Sequence, residues 1–517
     1  MATDGSRVCF LRSRAGDDPA NCLWALDVTT GEERLVATGV VDGDLTHEER
    51  ARRERAREPA GGIVSYAADD ALSVATYVQG GRVHRVDVGS GIVTEVEGAG
   101  PAFDARPDPN GQRIASVVSG GLSVDGRVVA DDDDPNVTWG MAEFIAAEEM
   151  GRDRGYWWAP DGERIAVCRV DTSPVRRWHV ADPASPETVP TELAYPAAGT
   201  ANADVELWIV DLAGERVQVR WDAERFPYLG RVVWQAAQPL TLLVQTRDQR
   251  DIQVLIATND GSTTVVHELT DPAWVDLVDG VPAWLPDGEL LTVAPLEGSH
   301  RLVVDGEPVT PDGLQVRRVV SAGEDVVFTA SADDPTVVDV WRLCEGALER
   351  LTSVHGVHSA AVGGPTVVVT SLTADGFRCT VGDHEIASLE DQPSVSGHVL
   401  FSAAGTRSLA TAVLYPAGHR AGTALPVLLD PYGGPGAQRV LRSRSAFLTS
   451  QWLADQGFAV VVIDGRGPRC RYGGSKISKD ESFRTSVTWP SRKTMISCTI
   501  GAPDLGCAGA AREEIQL

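Results

Sequence analysis

The chain has 517 residues, of which 43% are hydrophobic and 23% charged, a balance typical of a globular protein large enough for more than one core. Its formal net charge of −27 argues against nucleic acid or an anionic membrane surface as a partner and is compatible with a cationic substrate group. The N-terminus does not resemble a signal peptide and no apolar run is long enough to span a bilayer, so we expect a cytoplasmic location. The eight cysteines form no CxxC pair, and we expect no disulfide framework, metal site or cofactor.

Up to about residue 395 the sequence repeats a two-part β pattern. In the first part a turn pair precedes a short apolar strand, and in the second part a strand ends at an aspartate before another turn. The first part occurs at residues 4–11, 69–76, 110–117, 161–168 and 287–293, and the second at 23–31, 83–91 and 207–214. Units of a few short strands that cannot bury their own faces predict a mainly β fold, a β-propeller of seven or eight blades. An array of β-sandwiches is the alternative.

A first helix is predicted to interrupt the β pattern after Thr46. Residues 46–49 have the form of a capping box, and the mixed charges that follow up to Glu58 indicate an exposed helix stabilised by side-chain pairs. We interpret this segment as a solvated insertion.

A second helix is predicted over residues 141–150 and ends in adjacent carboxylates, Glu148 and Glu149. Two glutamates near the C-terminal end of a helix repel each other and lie at the negative end of the helix dipole. A cation is expected to compensate them. It is either a bound ligand or, in the simpler interpretation, Arg152 or Arg154 in a salt bridge.

The C-terminal part contains a strand, helix, strand pattern. Residues 425–436 (LPVLLDPYGGPG) and 457–467 (GFAVVVIDGRG) are apolar runs that stop at Gly, Pro or Asp, and residues 447–454 between them have helical spacing. In an α/β-hydrolase this opening precedes a Gly-x-Ser-x-Gly elbow, an acid and a histidine. The nearest approach is 473–477 (GGSKI), and no histidine follows His419.

The last fifty residues differ in composition from the rest. All three lysines lie there, at Lys476, Lys479 and Lys493, and every other basic residue is an arginine. We predict that residues 468–517 form a divergent tail, read in a different frame or derived from a rearranged gene. A genuine lineage-specific tail is the alternative.

Glu148 and Glu149 followed by 155–162 (GYWWAPDG) resemble the double-glutamate segment of the dipeptidyl peptidase IV group within the prolyl oligopeptidase family of serine peptidases. Residues 429–435 and 464–467 resemble the opening of that family's hydrolase domain. The resemblance implies a β-propeller over 1–395, the start of an α/β-hydrolase domain over 396–467 and the tail over 468–517.

The resemblance also implies roles for individual residues. Glu148 and Glu149 would bind the free α-ammonium of a peptide, so that cleavage occurs after the second residue. Tyr432 would help stabilise the oxyanion of the tetrahedral intermediate. The family's substrate-binding propeller arginine is not assigned, and the serine nucleophile and its Asp and His partners are absent from this sequence.

The expected function is that of a serine-type dipeptidyl peptidase, with this chain an inactive, truncated form. A non-catalytic propeller that binds peptide N-termini is the alternative. A related acylaminoacyl peptidase or endopeptidase is a third possibility, against which the glutamate pair speaks. The expected partners are peptides with a free N-terminus, and neither nucleic acid nor a membrane. The family implies that an oligomer can form, although we do not expect one for a truncated chain.

Overall fold

A computed structural model describes residues 1–41, 45, 47–56, 58–98, 100–432 and 437–465. The chain divides into two compact units. Unit 1 comprises Met1–Leu277, Pro282–Gly288 and Val362–Val367, and unit 2 comprises Val278–Val281, Glu289–Ala361 and the described residues from Val368 onward. The predicted tail 468–517, the segment 473–477 and the capping residue Thr46 lie outside the described residues.

Unit 1 is built mainly of antiparallel sheets. Its first two sheets contain β1 (Arg7–Arg12), β2 (Ala20–Asp27), β3 (Glu33–Ala37) and β4 (Gly61–Gly62), then β5 (Ala67–Ala68), β6 (Val74–Gln79), β7 (Arg82–Asp87) and β8 (Ile92–Glu95). The third contains β9 (Ala102–Pro107), β10 (Ile114–Val118), β11 (Gly121–Val124) and β12 (Arg127–Ala130).

The fourth sheet is larger and carries a side hairpin. It contains β13 (Val137–Trp139), β14 (Tyr156–Trp158), β15 (Arg164–Asp171), β18 (Asp204–Asp211) and β19 (Arg216–Val219), and the hairpin is β16 (Arg177–Val180) with β17 (Thr191–Ala194). The fifth sheet contains β20 (Tyr228–Val233), β21 (Leu240–Gln245), β22 (Asp251–Ala257) and β23 (Thr263–Thr270), and β24 (Ala283–Trp284) follows it in the chain.

The predicted repeat coincides with these strands. The two parts of a repeat pair as antiparallel neighbours, β1 with β2, β6 with β7 and β15 with β18. The aspartates at the strand ends close the turns, since Asp27 Oδ1 accepts hydrogen bonds from the backbone N–H of Thr29 and Thr30, and Asp87 Oδ1 accepts one from Ser90. The repeated strand pairs are therefore confirmed.

Apolar side chains are buried between consecutive sheets of unit 1. One core joins the third and fourth sheets around Leu122, Trp139 and the fully buried Tyr156. A second joins the fourth and fifth sheets around Leu207 and Leu229. Each sheet thus buries faces that it could not cover alone.

Both predicted helices of unit 1 are present but shorter than expected. α1 (His47–Ala56) holds Arg52 and Arg53 against Glu49 in i,i+3 and i,i+4 pairs at 2.6 and 2.7 Å. α2 (Phe144–Glu149) begins three residues later than predicted, because Met141 forms a β-bridge with Arg154.

Unit 2 continues with antiparallel sheets and ends in a mixed sheet. The antiparallel strands are β25 (Leu290–Leu296), β26 (Ser299–Val304) and β27 (Glu307–Pro308), β28 (Gln315–Ala322), β29 (Val326–Ser331), β30 (Asp339–Cys344) and β31 (Ala347–Arg350), then β32 (Gly356–Gly363), β33 (Thr366–Thr373), β34 (Gly376–Val381) and β35 (His384–Ile386). A few residues of β32 and β33 are counted with unit 1.

The mixed sheet has the order β36-β37-β39-β38, formed by β36 (Val399–Ala404), β37 (Leu409–Leu414), β38 (Val427–Tyr432) and β39 (Ala459–Asp464). β38 and β39 are parallel, and a 3-10 turn (Ser445–Phe447) and α3 (Leu448–Asp455) connect them. The predicted strand, helix, strand unit is confirmed. No helix within the described ranges has the length and apolarity that crossing a bilayer requires.

Candidate functional site

The glutamate pair lies on a loop that leaves and rejoins one strand. β13 and β14 both pair with β15, Trp139 opposite Arg169 and Tyr156 opposite Val167, and the bridge between Met141 and Arg154 closes the loop between them. Residues 140–155 therefore project from a fixed base in the fourth sheet.

Glu148 and Glu149 are the last two residues of α2, and both are exposed. The structure thus places the pair where the sequence predicted it, at the C-terminal end of a helix. A carboxylate at this end receives no support from the helix dipole, so contacts outside the helix must hold it in place.

Arg152 fixes the inner side of this loop. Its guanidinium is almost completely buried and donates to Glu143 Oε2 at 2.5 Å, to the carbonyl of Leu229 at 2.9 Å and to the carbonyl of Arg154 at 3.0 Å. Its backbone N–H donates to the carbonyl of Ala146 at 3.0 Å. One side chain therefore connects the residue before α2, the residues after it and the neighbouring sheet.

The ion pair with Glu143 decides the charge state of Arg152. Burial alone would lower the pKa of the guanidinium, but the adjacent Glu143 carboxylate outweighs it and the pKa of Arg152 is raised. Both side chains are at most 6% exposed, so the pair has little screening by solvent. Arg152 stays charged at any physiological pH.

The salt bridges expected from Arg152 or Arg154 to the glutamate pair are not what the described residues show. Arg152 is paired with Glu143, and Arg154 donates through Nε and Nη2 to the carbonyl of Tyr156, at 3.0 and 2.8 Å. The fold thus turns both guanidiniums toward the buried base of the loop, and their described hydrogen bonds go to groups other than the glutamate pair.

A different arginine lies at the C-terminal end of α2. Arg231, on β20 of the next sheet, donates to the carbonyl of Met150, the C-cap of the helix, and to that of Gly230 at 2.9 Å. It places a positive charge at the negative end of the helix. Sequence reasoning missed it, since it is 81 residues away from Met150 along the chain.

A second group of charges borders the loop base. Arg106 Nη2 lies 2.8 Å from Asp104 Oδ1, and Asp104 has a positive φ of 49° at an irregular position of the β9–β10 pairing. The Tyr156 hydroxyl donates to the carbonyl of Ala115 at 3.0 Å and contacts that of Asp104. The irregular, positive-φ position at Asp104 within β9 is thus packed against a buried tyrosine.

The charges in this group shift the pKa values of Arg154 and Arg106. Burial, together with the nearby charge of Arg106, lowers the pKa of Arg154 to about 10. Burial would also lower the pKa of Arg106, but Asp104 raises it. Two partly buried guanidiniums therefore lie at the base of the glutamate-bearing loop. Arg154 was considered from sequence, whereas Arg106 was not.

Tyr432, the predicted oxyanion-binding residue, belongs to unit 2. It is the last residue of β38 and lies opposite Asp464 of β39 in the parallel register. Its side chain lies outside what the structure describes. Asp464 is buried and accepts hydrogen bonds from the backbone N–H of Arg439 at 2.7 Å and of Val440 at 3.2 Å. Burial raises the pKa of Asp464, although these two bonds oppose the shift.

Comparison with known proteins identifies the family. A family model for the dipeptidyl peptidase IV (DPP IV) N-terminal region matches residues 90–366, more than half of the chain. The chain therefore belongs to this family, and both the predicted β-propeller class and the resemblance to the dipeptidyl peptidase IV group are confirmed.

Several curated proteins named as dipeptidyl peptidases or dipeptidyl-aminopeptidases are similar to this chain at low sequence identity. The chain is 24% identical over 402 residues to a probable dipeptidyl-aminopeptidase B of Ajellomyces capsulatus, covering 66% of this chain and 43% of the relative. It is 24% identical over 427 residues to a probable dipeptidyl peptidase 4 of Emericella nidulans, covering 70% and 55%. An inactive dipeptidyl peptidase 10 of Mus musculus is 24% identical over 213 residues, covering 38% and 26%. The chain spans about half the length of the first two.

Solved structures show the same fold. The crystal structure of Porphyromonas gingivalis dipeptidyl peptidase 4 superposes with a TM-score of 0.71 at 20% identity, covering 90% of this chain and 71% of that one. A putative dipeptidyl aminopeptidase IV of Bacteroides ovatus gives a TM-score of 0.68 at 17% identity with the same coverage.

Proposed function

We propose that this chain recognises the free amino terminus of peptides through Glu148 and Glu149, as the substrate-binding part of a serine-type dipeptidyl peptidase. The observation that carries the proposal is an exposed carboxylate pair at the end of a helix whose inner side is fixed by a buried arginine. Membership of the DPP IV N-terminal family supports it.

The chemistry suits an ammonium group. A peptide α-amino group has a pKa near 8, so it is mostly charged at neutral pH. Two carboxylates can accept charge-assisted hydrogen bonds from its three N–H donors, and such bonds are stronger than neutral ones. A ligand held by its first nitrogen presents later backbone groups at fixed distances, which is what removal of dipeptides requires.

The mixed sheet of unit 2 supports the hydrolase half of the proposal. It has two strands joined antiparallel, followed by a parallel strand, helix, strand unit. We assign it to the start of an α/β-hydrolase domain, in which the Tyr432 hydroxyl would stabilise the oxyanion. A hydrogen-bond donor placed where that negative charge develops lowers the activation barrier by roughly 3 kcal/mol.

For the 517-residue chain itself we expect binding without cleavage. It contains no Gly-x-Ser-x-Gly segment, and no histidine follows His419. Without a nucleophile and its base the covalent mechanism has no first step. A propeller that only binds peptide N-termini is therefore the second candidate, supported by the same glutamate pair.

The test compares a short peptide with its N-acetylated form by calorimetry on the full chain. The free peptide should bind, and the double variant Glu148→Gln/Glu149→Gln should weaken binding at least about tenfold, because hydrogen bonds to charged groups contribute roughly 1.5–3 kcal/mol. The control Glu163→Gln/Glu215→Gln removes two exposed carboxylates elsewhere in unit 1 and should leave binding unchanged.

Two outcomes would contradict the assignment. Equal binding of the acetylated peptide would show that the ammonium is not recognised. An unchanged affinity in Glu148→Gln/Glu149→Gln would show that the pair does not bind it. Binding should also weaken above about pH 8, where the ammonium loses its proton.

A further inference from the structure

Three aromatic rings connect α2 with the β16–β17 hairpin. Phe144, the first residue of α2, meets Tyr195 edge-on, with ring centroids 5.1 Å apart and an interplanar angle of 79°. Tyr195 directly follows β17 and meets Trp178 of β16 at 5.7 Å and 82°. The rings form a continuous series from the hairpin to the helix with the glutamate pair.

The hairpin is fixed at its base to the same sheet that carries the loop. Arg177 Nη2 donates to Asn136 Oδ1 at 2.5 Å and to Thr172 Oγ1 at 3.2 Å. The backbone N–H of Tyr195 donates to the carbonyl of Arg176 at 3.1 Å. Tyr195 is therefore held by its own backbone, independently of α2.

α2 has little stability of its own. It has six residues, its N-cap Glu143 makes no side-chain capping bond, and only Ala146 within it is buried. Helices this short form only when tertiary contacts hold them. Arg152 supplies such a contact on the inner side, and Phe144 against Tyr195 supplies one on the side of the hairpin.

We propose that Tyr195 is a positioning residue for the glutamate pair, and that its edge-on contact with Phe144 sets the orientation in which Glu148 and Glu149 meet a peptide ammonium. The inference rests on the proposed function and adds a residue outside the loop. A helix released on this side samples more orientations, so the bound geometry costs more entropy to reach.

The first experiment measures the affinity of the full chain for the free peptide and its acetylated form in Tyr195→Ala, Tyr195→Phe and Leu193→Ala. An aromatic pair contributes about 0.5–1.5 kcal/mol, so Tyr195→Ala should weaken binding of the free peptide roughly 2- to 12-fold. Tyr195→Phe keeps the aromatic ring and should bind the free peptide with wild-type affinity. Leu193→Ala removes an exposed apolar side chain of the same hairpin and should have no effect.

A double-mutant cycle distinguishes loss of the ring contact from a general loss of structure. Phe144→Leu breaks the same ring contact from the helix side and should weaken binding to a similar extent. If the contact is what matters, Phe144→Leu/Tyr195→Ala should bind no worse than either single variant. Additive losses would contradict the proposal.

The outcomes separate this inference from the proposed function. If Glu148→Gln/Glu149→Gln loses binding while Tyr195→Ala does not, Tyr195 has no positioning role and the glutamate site stands. If Tyr195→Phe is as weak as Tyr195→Ala, the hydroxyl and not the ring contact is responsible, and the proposal is wrong. If the glutamate double variant binds normally, the proposed function fails and this inference with it.

Discussion

Arg152→Met provides the most direct test of how the glutamate loop is held. The substitution keeps an apolar stem of similar length and removes the charge, which leaves the Glu143 carboxylate buried and without its cation. It also removes the donor that the carbonyls of Leu229 and Arg154 use at 2.9 and 3.0 Å.

The expected cost follows from these contacts. Removing one partner of a buried ion pair costs roughly 3–5 kcal/mol, because the remaining charge is desolvated without compensation. A total stability of about 5–15 kcal/mol makes this a large loss. We expect it first as local opening of the loop, since Arg152 joins both ends of α2 to β20.

Native-state hydrogen exchange measures that opening. The backbone N–H of Ala147, Met150 and Arg152, bonded to carbonyls of Glu143 and Ala146, should lose protection. Urea unfolding followed by tryptophan fluorescence should show a lower midpoint.

The matched control replaces both charges. Glu143→Leu/Arg152→Met should recover most of the loss, since an apolar pair leaves no buried charge. If Arg152→Met costs less than about 1 kcal/mol, or if the double variant is no more stable than the single one, the ion pair does not anchor the loop and the argument is refuted.

Two further predictions concern packing and pH. In Gly155→Ala the new Cβ would lie 2.4 Å from the backbone carbon of Gly140, so we expect urea unfolding to show a loss of about 1–3 kcal/mol in stability. The control Gly323→Ala should cost much less, because its Cβ would meet Asp325 O at 3.8 Å and Ser321 Oγ at 3.9 Å, which are ordinary contact distances. Equal costs for the two variants would contradict the clash. Because burial raises the pKa of Asp464 in the folded state, its contribution to the free energy of unfolding is present at low pH and is lost as pH rises through that pKa. Asp464→Asn should therefore gain stability relative to the wild type between pH 4 and pH 7. A constant difference in unfolding free energy across that range would show that burial does not control the ionisation of Asp464.

The β repeat could be predicted because the residues that form its turns and strands are close together in the sequence. At Asp87, for example, the carboxylate accepts hydrogen bonds from the N–H and the hydroxyl of Ser90, three residues on, and the strand before it, β7, buries Val83 and Val86. A turn of this kind depends on neighbours in sequence alone. The strand, helix, strand unit around α3 was predictable for the same reason, since each of its parts has its own periodicity.

The support of the candidate site could not be predicted in the same way. Glu143 and Arg152 are nine residues apart, and no helical or strand spacing brings such a pair together. The contacts of Arg152 with Leu229, and of Phe144 with Tyr195, depend on how a loop and a hairpin fold over the fourth and fifth sheets. From the sequence, Arg152 was considered as a partner of the exposed glutamates. In the structure its side chain is buried at the base of the loop and pairs with Glu143.

The position of Glu148 and Glu149 is a local conflict that the surrounding structure outweighs. A six-residue helix ending in two carboxylates opposes its own dipole and would not form alone. It persists because Arg231 places a positive charge at its C-cap, Arg152 fixes its inner side and the loop begins and ends on one strand. Sequences break local rules in this way mainly where a function requires it. If the same loop carried two alanines in place of the glutamates, the helix should be more stable and the ammonium site lost, and this opposition between stability and binding is what a binding role for the pair requires.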